Sequence, residues 1–299
     1  MPRILVTGSD GLIGRAVATL LRERGHGVWG YDLRRPPDDP ESGDINDYRK
    51  LAERVDGCCG IIHLAAVSRV AWGERDPERC WATNVEGTRN VLRAAHASRA
   101  RPWVLFASSR EAYGEAAHLP VTECSPLRPV NVYGRSKLKA EQLVTEFGQT
   151  GLNTAIVRLA NVYGSTEDHH DRVVPAFCRA AAEGSALYVR GYDHQFDFVH
   201  IQDVAKGMMS LVTLLQTGEV KLPPVQLVTG CGTTLGKLAG LAIEAGGGRS
   251  PLIRMPTRAY DVRCFVGDPA RARQLLGWQA FVPVAEGVAR LVSAFEQQI

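Results

Sequence analysis

The chain has 299 residues, 45% of them hydrophobic and 22% charged, with a formal net charge of +3 at pH 7; this excludes disordered, collagen-like and coiled-coil chains and gives no footprint for nucleic acid. No apolar run approaches the roughly 18 residues of a membrane span, and Met1-Pro2-Arg3-Ile4-Leu5 has no leader-like h-region, so no membrane partner is expected. Seven cysteines without a CxxC pair read as reduced thiols of a cytoplasmic protein.

Short apolar runs alternate with helical periodicity through the first half. Arg3 to Thr7 is a strand candidate, followed by a glycine-rich turn and a helix carrying Leu12, Ile13, Ala16, Val17, Leu20 and Leu21 before Gly25. Val28 to Asp32, Gly60 to Ala65, Trp103 to Ser108 and Thr154 to Leu159 are further strands, with helices at Asn84 to Ala97 and Val132 to Phe147. Strands joined through helices of that length need crossovers, hence an α/β protein with a doubly wound parallel sheet. The second half is punctuated by proline and glycine, with a strand at Val225 to Val228 and helices at Ile201 to Leu215 and Leu235 to Ala245. Neither a clean linker nor a repeat is visible. At about 150 residues per domain the length suggests two. We expect a first domain over 1–165, with later segments around 195–230 woven in, and a smaller lobe mainly over 166–299.

Gly8-Ser9-Asp10-Gly11-Leu12-Ile13-Gly14 follows a strand and opens a helix. Glycine there allows a tight turn and lets backbone approach a pyrophosphate, while the helix N-terminus offers N–H groups to the anion. Asp32 ends the second strand, 18 residues beyond Gly14, where a carboxylate accepts ribose hydroxyls and repels a 2′-phosphate. That favours NAD over NADP. Arg34 and Arg35 are the counter-evidence, since either could grip such a phosphate.

Tyr133 and Lys137 lie four residues apart, on one helix face. A phenol with pKa near 10 is a poor base at neutral pH, and a neighbouring cation favours its phenolate. Ser108-Ser109 ends a strand, where a hydroxyl can reach the carboxyl-end crevice of an open sheet. By itself the tyrosine–lysine spacing occurs by chance in many helices and is also readable as a solvated helix face; only the combination with the other motifs makes chance a poor account. His63 reads as a packed, hydrogen-bonded core residue, and His169-His170 as a polar loop with no third ligand at metal-like spacing.

Taken together, these motifs resemble the extended short-chain dehydrogenase/reductases, in their nucleotide-sugar epimerase/dehydratase branch. The resemblance runs nearly end to end: Thr7 to Gly14, Gly43-Asp44-Ile45, His63-Leu64-Ala65-Ala66, Asn84-Val85-Glu86-Gly87-Thr88, Ser108-Ser109 with Tyr113-Gly114, Tyr133 with Lys137, Arg158 to Gly164, Asp197-Phe198-Val199-His200 and Leu276-Gly277-Trp278. It implies a Rossmann-like fold, Tyr133 as acid/base, Lys137 lowering its pKa and holding the nicotinamide ribose, and Ser109 on the reacting sugar hydroxyl. By the same resemblance Asp44 and Ile45 flank adenine, Leu64, Ala65 and Ala66 line the NAD, Asn161 meets the substrate diphosphate, and Arg258 is a late phosphate-binding arginine. The implied reaction is C4 epimerisation of a nucleotide-diphosphate sugar through a transient 4-keto intermediate. The resemblance also implies a homodimer pairing the Asn84–Ala97 and Val132–Phe147 helices.

Two departures bear on substrate and reaction. Phe196 stands where the family usually carries an arginine on the diphosphate, with Arg190 nearby in the chain. The 4,6-dehydratases of the branch carry an Asp-Glu pair after the catalytic hydroxyl; here the pair is Arg110-Glu111, which keeps the base position and loses the acid. Arg110 could meet a substrate carboxylate or pair with Glu111. A dehydratase or decarboxylase using Glu111, and an NAD(P)-dependent reductase on a non-nucleotide substrate, therefore stand as alternatives.

Overall fold

Residues 3–299 are described by a computed structural model. The chain divides into two units drawn from alternating segments: Met1–Gly114, Pro126–Leu159 and Ala205–Val225 form the first, Glu115–Ser125, Ala160–Val204 and Gln226–Ile299 the second.

In chain order the first unit begins with β1 (Arg3–Thr7), α1 (Leu12–Glu23), β2 (Gly27–Tyr31), α2 (Tyr48–Val55), β3 (Cys58–His63), α3 (Val70–Arg75) and α4 (Pro77–Trp81). A π-helical turn at Ala82–Gly87 leads into α5 (Thr88–Ala97), then come β4 (Trp103–Ser109), α6 (Val132–Gln149) and β5 (Thr154–Leu159). The chain continues through β6 (Asn161–Tyr163), α7 (Val173–Glu183), β7 (Leu187–Arg190), β8 (Gln195–His200), α8 (Ile201–Gln216) and β9 (Val225–Leu227). It closes with β10 (Gly232–Thr234), α9 (Leu235–Ala245), β11 (Leu252–Met255), β12 (Cys264–Phe265), α10 (Ala270–Leu276) and α11 (Val284–Glu296). No helix of the described residues is long and apolar enough to cross a membrane.

The main sheet has the order β2-β1-β3-β4-β5-β9, and its first five strands pair in parallel. Chain order reverses between β1 and β3, which puts a ligand crevice at their carboxyl ends. One face of the sheet, through Leu5, Ile61, Val104, Phe106 and Ile156, packs on Val91, Leu92 and Ala95 of α5 and on Ala140, Leu143 and Val144 of α6. Each fully buried Val, Leu, Ile or Phe among them contributes about 1.5–3 kcal/mol. Their spacing along α6 turns the same face of that helix toward the sheet, and Tyr133 and Lys137 ride on it.

In the second unit β8 is central. It pairs in parallel with β6 and β12 and antiparallel with β10, while β7 and β11 form a separate parallel pair. Helices α7, α9 and α11 pack on one another. Asp197 of β8 is fully buried and accepts from Thr229 N (2.9 Å), Thr229 Oγ1 (2.7 Å), Gly230 N (2.9 Å) and Gly267 N (3.4 Å). Asp203, also fully buried, accepts from the N–H groups of Phe281 and Val282, and its carbonyl accepts from Trp278 Nε1 (2.9 Å). The DFVH and LGW motifs thus include structural anchors of this unit.

The parallel α/β architecture matches the expectation from sequence, and Leu235–Ala245 is a helix with the expected bounds. Two elements differ. The helix expected from Asn84 is regular only from Thr88, because the preceding turn is wide. The strand expected to run to Ala65 ends at His63, where Leu64 N crosses to Thr7 O (3.1 Å) and the ladder stops.

Candidate active site

The turn after β1 is shaped by what its residues lack. Gly8 has φ +71°, a left-handed conformation that favours glycine, and a Cβ there would stand 2.7 Å from Ala65 N at the end of β3. A Cβ on Gly14 would stand 2.1 Å from Gly8 O, so any side chain at this first turn of α1 would drive the turn open. Gly11 is the N-cap of α1 and offers no side-chain acceptor, which leaves first-turn N–H groups to a ligand. Leu12 and Ile13 are half-buried on that turn, and Leu64, Ala65 and Ala66 line the adjacent end of β3, also half-buried.

Asp32, buried just beyond β2, accepts from Asp10 N (2.9 Å) and Arg34 N (2.9 Å). Its pKa is lowered: burial pushes it up, and the bonds from Arg34 and Asp10 outweigh that. Ile45 is buried and Asp44 half-buried at the start of the segment before α2. A close-approach turn, an uncapped helix N-terminus and a buried carboxylate at the end of β2 together fit the pyrophosphate and ribose of an adenine dinucleotide.

The second cluster joins β4 to α6. Tyr133 and Lys137 are 8% and 4% exposed, which rules out a solvated face. Lys137 Nζ donates to Ala107 O (2.8 Å) and lies 4.8 Å from the Phe106 ring centroid. Burial pulls its pKa down to about 8, with Cys80 and Glu141 opposing. Ser109, at the end of β4, accepts from Glu111 N (3.2 Å). Glu111 is buried with each oxygen engaged, one by Arg110 (2.8 Å) and one by Asn131 Nδ2 (2.8 Å). Arg110 therefore pairs with Glu111.

Of the residues that hold this cluster, Asn131, Glu74, Ser136 and Glu141 carry no sequence expectation, and Asn84, Tyr113 and Arg158 are marked by motif without a role. Asn131 caps α6 through Gly134 N (2.7 Å) and grips Glu111 at the same time; an Asn directly before a helical run was the available signal. Glu74 accepts from Val132 N (2.7 Å). Asn84, on the π-helical turn, donates to Ser136 Oγ (2.9 Å), which in turn donates to Tyr133 O (2.7 Å). Arg158 and Glu141 form a buried pair (2.7 Å), and Arg158 Nη1 donates to Tyr113 Oη (3.1 Å). His63 is buried between Thr7 Oγ1 (2.7 Å) and Thr88 Oγ1 (2.9 Å), and burial lowers its pKa to about 3, so it is a neutral core residue.

The remaining candidates belong to the second unit. Asn161 is half-buried on β6, in register with Phe198. Arg190 is exposed on β7 and donates to Pro256 O (3.1 Å), while Arg258 is exposed with its guanidinium 6.0 Å from the Tyr260 ring centroid. Phe196 is buried edge-on to Phe198. Arg190 and Phe196 thus lie in different sheets of that unit.

A parallel sheet with a glycine-shaped β1–α1 turn, an acid closing β2 and a buried Tyr–Lys pair defines a dinucleotide-binding protein of the short-chain dehydrogenase/reductase type. The chain belongs to the NAD dependent epimerase/dehydratase family, whose model matches residues 4–222. A UDP-glucose 4-epimerase of Streptomyces lividans is 30% identical, over 92% of this chain and 91% of the relative. A UDP-glucose 4-epimerase from Brucella ovis, solved with NAD, superposes with a TM-score of 0.89 at 29% identity, covering 99% of both chains. One from Thermotoga maritima, solved with UDP-glucose, gives 0.89 at 27% identity, again over 99% of both.

Proposed function

We propose that the protein is an NAD-dependent 4-epimerase of a nucleotide-diphosphate sugar. The observation that carries this reading is the buried Tyr133–Lys137 pair on one turn of α6, anchored through Lys137 Nζ to β4 two residues before Ser109. The relatives named UDP-glucose 4-epimerase support it. NAD, when bound, supplies the redox couple for the sugar C4. Tyr133 takes the C4 hydroxyl proton as the 4-keto sugar forms and returns it after the sugar has presented its other face. Lys137 favours the phenolate and holds the nicotinamide ribose, and Ser109 hydrogen-bonds the reacting oxygen. Gly8, Gly11, Leu12, Ile13, Gly14, Asp32, Asp44, Ile45, Leu64, Ala65 and Ala66 hold the dinucleotide, while Asn161 and Arg258 serve the substrate diphosphate.

A dehydratase or decarboxylase would need Glu111 as a base. Both its oxygens are held, by Arg110 and Asn131, which favours epimerisation. We also propose a homodimer paired through α5 and α6, and a cytoplasmic location, the latter supported by seven unpaired cysteines.

Incubation with a panel of nucleotide sugars tests the reaction: epimerisation conserves mass, dehydration loses water, and net redox changes NAD(P)H absorbance. Tyr133→Phe is expected to slow turnover by about 10²–10⁴ with fold and NAD content intact. Unchanged turnover in that variant would end the assignment.

A further inference from the structure

His63, at the end of β3, is 1% exposed and takes no part in the proton transfer at C4. Its ring centroid lies 5.7 Å from that of Phe106, over which Lys137 Nζ stands. The neighbours of the imidazole dictate where its proton sits. Thr88 Oγ1 gives its one proton to Asn84 O (2.7 Å), so towards His63 Nε2 (2.9 Å) that hydroxyl can only accept. Nε2 therefore carries the ring proton. Burial keeps the ring neutral, so Nδ1 is bare and accepts from Thr7 Oγ1 (2.7 Å). Thr7 Oγ1 in turn accepts from Ala65 N (3.3 Å), the atom that crowds the Cβ position of Gly8. Asn84 is clamped to the backbone of Val67 on both sides, through Oδ1 from Val67 N (2.8 Å) and Nδ2 to Val67 O (3.1 Å). The same Nδ2 hands the chain on to Ser136 Oγ (2.9 Å), which donates to Tyr133 O (2.7 Å).

We propose that His63 is a positioning residue: as its neutral Nε2–H tautomer it joins the end of β1, beside the glycine turn, to the first turn of α6 through one unidirectional hydrogen-bond chain, and so sets where Tyr133 stands. The inference rests on Tyr133 being the acid/base of the proposed epimerase. Every proton from Ala65 through Thr7, His63 and Thr88 points towards Asn84, and aligned bonds of this kind polarise and strengthen one another. The opposite tautomer would set two lone pairs face to face at Nε2 and Thr88 Oγ1 unless Thr88 let go of Asn84 O. Releasing that carbonyl would loosen the π-helical turn from which Asn84 reaches Ser136. An apolar side chain at position 63 would break the chain at its middle and leave both threonine hydroxyls short of a partner.

The test uses the full-length chain with NAD added. Nitrogen NMR of the His63 ring, assigned by its loss in His63→Leu, should show a bare Nδ1 and a protonated Nε2 from about pH 5 to about pH 9. Thr88→Val removes the hydroxyl and keeps the shape; it should lower kcat by about tenfold with KM within about twofold. Thr88→Ser restores the hydroxyl and should restore kcat. H63L should lose as much as T88V, and H63L/T88V no more than H63L, because a chain already broken has nothing further to lose. Amide exchange at Arg135, whose N–H bonds Asn131 O, should quicken by about tenfold in T88V while β5 exchanges as in the wild type. The ring spectra and the exchange need no substrate, so they are separable from the epimerase reading, which fails if the wild type turns over no nucleotide sugar. If H63L unfolds, T88V and T88S carry the comparison. The proposal is overturned if the ring is protonated on Nδ1 at pH 7, if folded T88V keeps wild-type kcat and Arg135 exchange, or if T88S loses as much as T88V.

Discussion

The glycine turn and the β4–α6 junction reach precision by opposite means. At the turn, backbone meets backbone and every added atom does harm; its specification lies in seven contiguous residues. At the junction, polar side chains from β4, the π-helical turn, α3 and α6 are tied to one another, and removing atoms does the harm. The first kind of site tolerates no growth, the second no truncation.

Adding a methyl group to the turn is the strongest test of this contrast. Gly14→Ala should cost more than about 4 kcal/mol, or empty the chain of dinucleotide, because its Cβ lands 2.1 Å from Gly8 O. Normal NAD content and an unchanged urea midpoint would break the comparison. At the junction, Asn131→Ala removes a helix cap and a donor to Glu111 together, for an expected loss of about 2 kcal/mol in urea unfolding. Lys137→Met should abolish turnover yet stabilise the chain by about 1 kcal/mol at pH 7, since burial disfavours the ammonium. The sign follows from the lowered pKa. Between about 8 and 10.5 the unfolded chain binds more protons than the folded one, so the wild type gains stability as pH rises through that window and its deficit against K137M closes. A gap that widens from pH 7 to 10 would contradict the burial argument.

The same contrast explains what could be read in advance. The glycine spacing, Asp32 and the helical offset of Tyr133 and Lys137 are local, so period and spacing expose them. Asn131–Glu111, Asn84–Ser136 and Arg158–Glu141 bridge 20, 52 and 17 residues, and only the strand order brings them together. Periodicity says nothing of such pairs. Short strands are equally silent: β6, β10 and β12 have three, three and two residues, too few to establish an alternation.

Asp197 carries a last implication, for synthesis. Its donors come from Thr229, Gly230 and Gly267, up to 70 residues downstream. A nascent chain that has emerged only as far as β8 holds that carboxylate without the groups that make its burial tolerable. The Asp197 anchor of the second unit is therefore complete only once the ribosome has released Gly267.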